Sequence, residues 1–266
     1  MIIKDKIFVV TGAGGGIGGA VVGSLLRQGA KVAAVDLRQE ALDKLKNNNS
    51  EHVKNLSVYA IDITDKQAVL KLPEQVVKKQ GAVDGLINCA GVIQQFVKIN
   101  DIDYQDVDRV FRINFYGTLY MVKAFLPHLL KRPEGYVANV SSMGGFLPVP
   151  GQSIYGASKA AVKLMTEGLY AELIDTNVHV SVIYPGATST DIAKNSGVNA
   201  SNTAASEMKI PMLSAYDCAE AIIKGIEKNK PYIYTGKDSK IMNLLYRFNS
   251  VYATKLIAKQ MQSLLK

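Results

Sequence analysis

Residues 7–18 read Ile7-Phe8-Val9-Val10-Thr11-Gly12-Ala13-Gly14-Gly15-Gly16-Ile17-Gly18. An apolar β-forming run passes directly into a glycine cluster, and a helix-like segment, Ile17 to Gln28, follows. Glycines let the chain turn tightly and let its backbone approach a pyrophosphate, which then rests on the positive N-terminus of the next helix. A strand before the cluster and a helix after it make this more than an ordinary glycine-rich turn.

Outward from this stretch, short β-branched runs alternate with longer helical segments. Strands are expected at 6–11, 31–36, 56–61, 83–88, 135–141, 178–184 and 232–235. Helices are expected at 17–28, 39–46, 65–80 (opened by Thr64), 106–130, 153–175 and 215–228. Runs such as Val32-Ala33-Ala34-Val35 are apolar without strict alternation, as in strands buried on both faces. Repeated βα units predict a Rossmann-like, doubly wound α/β fold, with a mainly parallel seven-stranded sheet flanked by helices. Residues 1–236 form one dinucleotide-binding and catalytic domain on this reading. The long, polar stretch 186–214 reads as a lid or binding loop.

Asp36 closes the second strand, where dinucleotide folds place the acid that binds the adenosine ribose hydroxyls. A carboxylate there favours NAD over NADP. One unit-charge pair with a 2′-phosphate at ~4 Å costs roughly 4 kcal/mol at an effective dielectric near 20. Arg38 is close enough in sequence to offset part of that repulsion. Leu37 follows Asp36 along the same rim. Asp62 and Ile63, at the end of the third strand, are placed to meet the adenine, although Asp62 reads almost as well as a turn acid ahead of Thr64.

Thr11, Gly12, Gly16 and Gly18 match Thr-Gly-x-x-x-Gly-x-Gly; Tyr155-Gly-Ala-Ser-Lys159 matches Tyr-x-x-x-Lys; Ser142 lies thirteen residues before Tyr155; and Asn114 sits in Arg-Ile-Asn-Phe-Tyr-Gly. In this order the sequence resembles the short-chain dehydrogenase/reductase family over about residues 5–235. The resemblance implies Asn114, Ser142, Tyr155 and Lys159 as catalytic residues, with Asn114 holding Lys159 through a water. It also implies cofactor contacts at Gly12, Gly15, Gly16, Ile17, Gly18, Asp36, Leu37, Asp62, Ile63, Cys89, Ala90, Gly91, Tyr155, Lys159, Pro185, Gly186, Thr188 and Thr190. One departure is Asn88-Cys89-Ala90-Gly91, where the family has two successive asparagines, so the second side chain's hydrogen bond is in doubt.

The chemistry also follows from the residues. Tyr155 and Lys159 are four apart and share a helix face. A tyrosine near pKa 10 needs a neighbouring positive charge to exchange protons at neutral pH. Tyr155 is then a general base in oxidation and a general acid in reduction, while Ser142 can hydrogen-bond a substrate oxygen as charge develops. The expected reaction is hydride transfer between NAD and a secondary alcohol or ketone. Apolar residues at Val92, Ile93, Phe96, Phe146 to Pro150, Met208, Ile210, Met212 and Leu213 suggest a lipophilic substrate, and read equally as core. The rivals are an NADP-linked 3-oxoacyl-thioester reductase and a catalytically silent dinucleotide-binding scaffold.

No run of eighteen apolar residues predicts a spanning helix, and the first apolar run is too short for a secretory signal. Cys89 and Cys218 lack metal-ligand spacing and read as thiols of a reducing compartment, so a cytoplasmic homodimer or homotetramer without a metal is expected. The net charge is +8. From Lys237 onward six basic residues face one acid, Asp238, so this tail supplies most of the excess. Ile241, Leu244, Leu245 and Phe248 recur at helical spacing, and Val251, Tyr252, Leu256 and Met261 prolong the stripe. Residues 237–266 therefore read as a basic amphipathic extension that docks on protein or lies peripherally on an anionic membrane. Nucleic acid is not an expected partner, because no recognition module accompanies the charge.

Overall fold

The computed structural model describes residues 1–198 and 212–261. Seven parallel strands form one sheet in the order β3-β2-β1-β4-β5-β6-β7. They are β1 (Ile7–Thr11), β2 (Lys31–Asp36), β3 (Leu56–Ala60), β4 (Gly85–Asn88), β5 (Gly135–Val140), β6 (Val178–Pro185) and β7 (Tyr232–Thr235). This is the Rossmann-like, doubly wound arrangement that the βα alternation predicts. The strand order reverses between β1 and β4, so the loops leaving them diverge and open a crevice above the sheet edge.

The helices are α1 (Gly16–Arg27), α2 (Gln39–Asn48), α3 (Lys66–Gln80), α4 (Tyr104–Phe111), α5 (Thr118–Leu129), α6 (Ser153–Glu172), α7 (Ile192–Asn195), α8 (Ala215–Glu227), α9 (Lys237–Phe248) and α10 (Ser250–Gln260). Because strand side chains alternate, β1 sends Phe8 and Val10 to one face and Val9 to the other. The first face packs on Val22 and Leu25 of α1 and on Ile222 and Ile223 of α8. The second packs on Leu72 of α3, Phe125 of α5 and Leu169 of α6. With both faces covered, every residue of β1 and β5 is buried.

Three local expectations are corrected. Helix α3 is capped by Asp65, which accepts from the amides of Gln67 and Ala68; Thr64 instead donates its amide to Asp62 Oδ1 at 2.8 Å. The helix expected at 106–130 starts at Tyr104 and is interrupted by a π turn, Arg112–Gly117. The tail is two helices broken at Asn249, and the expected stripe is divided between an inner face, which takes Leu245 and Met261, and an outer one. Met242, Leu245, Tyr246, Ala253, Ile257 and Met261 pack inward against Phe146, Leu147 and Val149, whereas Ile241, Leu244, Phe248, Val251 and Tyr252 are exposed. Among the described residues no helix is long and apolar enough to cross a membrane. Met208 and Ile210, with the middle of the 186–214 stretch, lie outside the described residues.

Candidate active site

The crevice at the switch point is a cleft of about 660 Å³. Its floor is the glycine turn. Gly12 has φ +64°, and a side chain there would come within 2.8 Å of the Ala90 backbone. A Cβ on Gly18 would lie 2.2 Å from the Gly12 carbonyl, so helix α1 meets the turn at a distance that a larger residue forbids. Gly15 precedes α1 and supplies no side-chain cap to its first amides. Those amides are the donors that an anionic ligand satisfies. Thr190 closes in from the other side, reaching within 2.8 Å of where a Cβ on Gly16 would stand.

The wall beyond is made by Asp36, Leu37, Arg38, Asp62 and Ile63. Asp36 is fixed by backbone donors, its Oδ2 accepting from Gly14 N at 2.9 Å and its Oδ1 from Arg38 N at 3.1 Å. Arg38 Nε lies 3.9 Å from Asp36 Oδ1, with its side chain half exposed. Asp62 lines the cleft and also holds the Thr64 turn. Cys89, Ala90, Gly91 and Val92 form the opposite wall, and Ile17 lies at the helix entrance.

The four predicted catalytic residues gather beside Gly91 and Gly144. A Cβ on Gly91 would stand 3.0 Å from Lys159 Nζ and 3.2 Å from Asn114 Oδ1. A Cβ on Gly144 would stand 3.5 Å from Tyr155 Cε1 and 3.6 Å from Ser142 Oγ. Helix α6 comes so near the serine turn that a Cβ on Gly156 would lie 2.8 Å from the Gly144 carbonyl. Lys159 is buried and donates to Val140 O at 2.9 Å. Asn114, in the π turn, accepts from Val92 N at 2.8 Å and donates to Val92 O and Ser158 Oγ, each at 2.9 Å. Its direct partners are thus the β4 loop and helix α6.

Burial opposes charge on both Tyr155 and Lys159. It pushes the Tyr155 phenol up, while the Ser142 hydroxyl beside it pulls the other way. It lowers Lys159 to about 8, with Cys89 nearby acting in the opposite sense. The Cys89 thiol is itself pushed up to about 12 by desolvation, so it stands neutral in the wall.

Pro185, Gly186 and Thr188 sit at the top of β6, beyond the residues lining the cleft. Gly186 N donates to Thr235 O at 2.8 Å, Thr188 Oγ1 to Gly186 O at 2.9 Å, and Ala187 N to Asp238 Oδ2 at 2.7 Å. The first turn of the tail therefore holds this segment in place. Among the described residues no group of three His, Cys, Asp or Glu could hold a metal.

The model of the short chain dehydrogenase family matches residues 6–201. The chain belongs to this family. As a short-chain dehydrogenase it is similar to SadH of Mycobacterium tuberculosis, which carries an oxidoreductase name, at 30% identity over 96% of this chain and 95% of SadH. An oxidoreductase of Staphylococcus aureus strain MW2, named as uncharacterised, is 38% identical over 72% of this chain and 81% of its own. Among solved structures, a short chain dehydrogenase from Burkholderia cenocepacia in complex with NADP superposes with TM-score 0.81 at 26% identity, covering 97% of this chain and 99% of that one. A Burkholderia phymatum relative in complex with NAD has the same fold, with TM-score 0.84 at 24% identity over 95% and 96% of the two chains. This short-chain dehydrogenase is thus an oxidoreductase of the nicotinamide-dinucleotide type.

The residues on either side of Cys89 carry hydrogen bonds in this part of the sheet, since Asn88 Nδ2 donates to Asn139 Oδ1 at 2.8 Å and Ala90 N to Thr11 Oγ1 at 3.2 Å. Other residues escaped sequence reasoning. Gln105, Asp108, Arg109, Arg112 and Asn195 line the cleft. Arg109 and Arg112 lie three apart just before Asn114, a helical spacing that was the available signal. Gln94 is buried behind Tyr155, and no sequence signal marks it.

Proposed function

We propose that the enzyme moves a hydride between NAD(H) and a lipophilic secondary alcohol or its ketone, with Tyr155 as general acid and base. The observation that carries this reading is the meeting of Tyr155, Ser142, Lys159 and Asn114 around Gly91 and Gly144, at the edge of a cleft whose far wall ends in Asp36. The glycine turn, the uncapped start of α1 and Asp36 fit a dinucleotide. Gly12, Gly15, Gly16, Ile17 and Gly18 would hold its pyrophosphate; Asp36 and Leu37 its adenosine ribose; Asp62 and Ile63 its adenine; and Cys89, Ala90, Gly91, Pro185, Gly186, Thr188 and Thr190 its nicotinamide half. The nicotinamide supplies the hydride acceptor or donor.

The protein's own part is proton handling and orientation. Ser142 presents its hydroxyl to the substrate oxygen. Tyr155 takes the alcohol proton in oxidation or returns it in reduction. Lys159, as ammonium, favours the phenolate against the desolvation that opposes it. Asn114 spans the β4 loop and α6 and keeps Lys159 in register. The segments flanking the site, Val92 to Phe96 and Phe146 to Pro150, carry no charged side chain, which suits an apolar substrate. Phe96, Phe146, Leu147 and Val149 of these segments also pack beneath the tail, with Leu147 buried.

NAD is preferred in this reading because Asp36 is already pinned where a 2′-phosphate would meet it. The second reading, an NADP-linked 3-oxoacyl-thioester reductase, has in its favour Arg38 half exposed at 3.9 Å from Asp36. Side-by-side titration with NADH and NADPH, followed by a carbonyl panel of increasing chain length, tests both. A preference for NADPH assigns the site to Arg38. Binding of either cofactor without turnover of any carbonyl favours a silent scaffold. The proposed enzyme is one catalytic domain to residue 236 with a helical extension, working as a cytoplasmic homodimer or homotetramer.

A further inference from the structure

The C-terminal helices α9 and α10 are joined at Asn249 and present two apolar faces. The inner face is filled by Phe146, Leu147 and Val149 of the body. On the outer face Ile241, Leu244 and Phe248 follow i, i+3, i+7 along α9 and are 61%, 70% and 89% exposed. Val251 and Tyr252 continue this face across the break and are also exposed. Among the described residues the bend between the helices thus carries Phe248, Val251 and Tyr252 largely uncovered. Around them stand exposed Lys237, Lys240, Arg247, Lys255 and Lys259. The one acid of this segment, Asp238, is turned inward onto Ala187 N.

From this juxtaposition we infer that the outer face of the hairpin is a docking surface for an anionic lipid bilayer. Apolar side chains at a bend, an aromatic pair among them, and cations spaced along both helices are the distribution that a headgroup layer accommodates. The cations add attraction to anionic lipid. Charge selects this occupant over a second copy. A twofold pairing of the face sets each patch against itself, and that would bring five exposed cations against five with no exposed acid between them. The inner face ties the hairpin to the Ser142 side of the site, so docking would bring the substrate region to the bilayer. The inference does not depend on which cofactor or substrate the enzyme takes.

The test is co-sedimentation of the full-length protein with vesicles of phosphatidylcholine containing about 40% phosphatidylglycerol, whose negative surface attracts clustered Lys and Arg. Vesicles of phosphatidylcholine alone serve as the reference. Binding should require the anionic lipid and weaken from 50 to 500 mM NaCl. Leu244→Ser with Phe248→Ser should reduce partitioning by about tenfold or more. Arg247→Gln with Lys255→Gln should do so only at low salt. Melting temperature and cofactor titration should be unchanged in both, since these side chains touch neither core nor cleft. Three results overturn the inference: no binding by the parent protein, binding that the Ser variant retains, or a Ser variant that instead changes the oligomer by sedimentation velocity, which assigns the face to another copy.

A separate observation concerns Gln94. It is 1% exposed, and its Oε1 accepts from Ile154 N and Tyr155 N, each at 2.9 Å. Its Nε2 donates to Gly151 O at 3.1 Å, and its carbonyl accepts from Gln152 Nε2 at 2.9 Å. No side chain at Gln152 caps α6, so one residue from the β4 loop satisfies the first amides of the catalytic helix, that of Tyr155 included. The geometry points to Gln94 as a positioning residue that fixes the height of the Tyr155 phenol relative to Ser142. This rests on the Tyr155 reading above, and Tyr155→Phe tests that reading separately. Gln94→Met should lower kcat about ten- to a hundredfold, shift the pH profile of kcat and leave cofactor affinity alone. Gln94→Glu, which keeps the acceptor, should recover most of the rate. If both variants turn over like the parent, or if both lose rate and melting temperature together with an unmoved pH profile, Gln94 only supports the fold.

Discussion

The cofactor rim and the C-terminal hairpin border the same edge of the sheet but are held in place by different forces. At the rim, Asp36, Asn88, Asn114 and Gln94 are each fixed by hydrogen bonds to named backbone or side-chain atoms at 2.8–2.9 Å. The hairpin rests on Phe146, Leu147 and Val149 through apolar contact, with Asp238 as its polar tie to the sheet edge. Directional bonds hold a reacting atom to a fraction of an ångström. Apolar contact supplies area and tolerates shape change. Substitutions at the rim should therefore act on rate and cofactor choice, and substitutions under the hairpin on stability.

The sharpest contrast is Tyr155→Phe, expected to lower turnover ~10²–10⁴-fold with melting temperature and cofactor titration unchanged. More than about a tenth of the parent rate would mean another acid is at work. Leu147→Ala should be its mirror image, costing roughly 2–4 kcal/mol as a core truncation and lowering the melting temperature while kcat for a short alcohol holds. Equal losses of both would break the distinction between rim and hairpin.

Lys159→Met crosses the two regimes. The lysine is buried with its pKa lowered to about 8 from 10.5, which corresponds to about 3 kcal/mol of disfavoured charge, partly offset by its bond to Val140 O. Between about pH 8 and 10.5 the unfolded chain binds the proton that the folded one has released. Parent stability should therefore rise with pH through that window, the penalty being fully present below it. The Met variant should lose turnover, melt a few degrees higher at pH 7 and lack that rise. Thermal melts from pH 7 to 10.5 decide it.

Asp36→Ala should weaken NAD and admit NADP beside Arg38, narrowing the measured preference about tenfold. An unchanged ratio would take Asp36 out of cofactor selection. The smallest effect is expected for Asp238→Ala. Loss of one charge-assisted bond to Ala187 N is worth roughly 1–2 kcal/mol and should raise the KM for NAD several-fold. If KM stays put, the hairpin's root does not steady the Gly186–Thr188 segment.

What the sequence made legible follows the same division. The glycine turn, Asp36 and the Tyr155–Lys159 pair depend on local spacing, and each falls where the pattern places it. Gln94 acts on residues sixty positions away, so no window around it reveals the cap. The π turn is invisible because Arg112 to Gly117 continues a helical run without a proline, and nothing in its residues separates a widened turn from a regular one. In the tail, Ile241, Leu244, Leu245 and Phe248 form the cleaner stripe, yet only Leu245 of these faces inward, beside Met242 and Tyr246. The choice is made by Phe146 and Leu147, a hundred residues earlier. With two apolar faces available, periodicity fixes that a helix forms and leaves open which side is covered.

The π turn also makes the length of the chain a functional variable. An inserted residue widens one turn and advances everything before it by about a third of a rotation relative to everything after it. Asn114 reaches Val92 and Ser158 from inside that widened turn. Deleting a single residue of this turn other than Asn114 would leave all four proposed catalytic side chains in the protein and return the helix to regular winding. It would also phase α4 wrongly against α5, so a change of length could silence this site without removing any group that does chemistry.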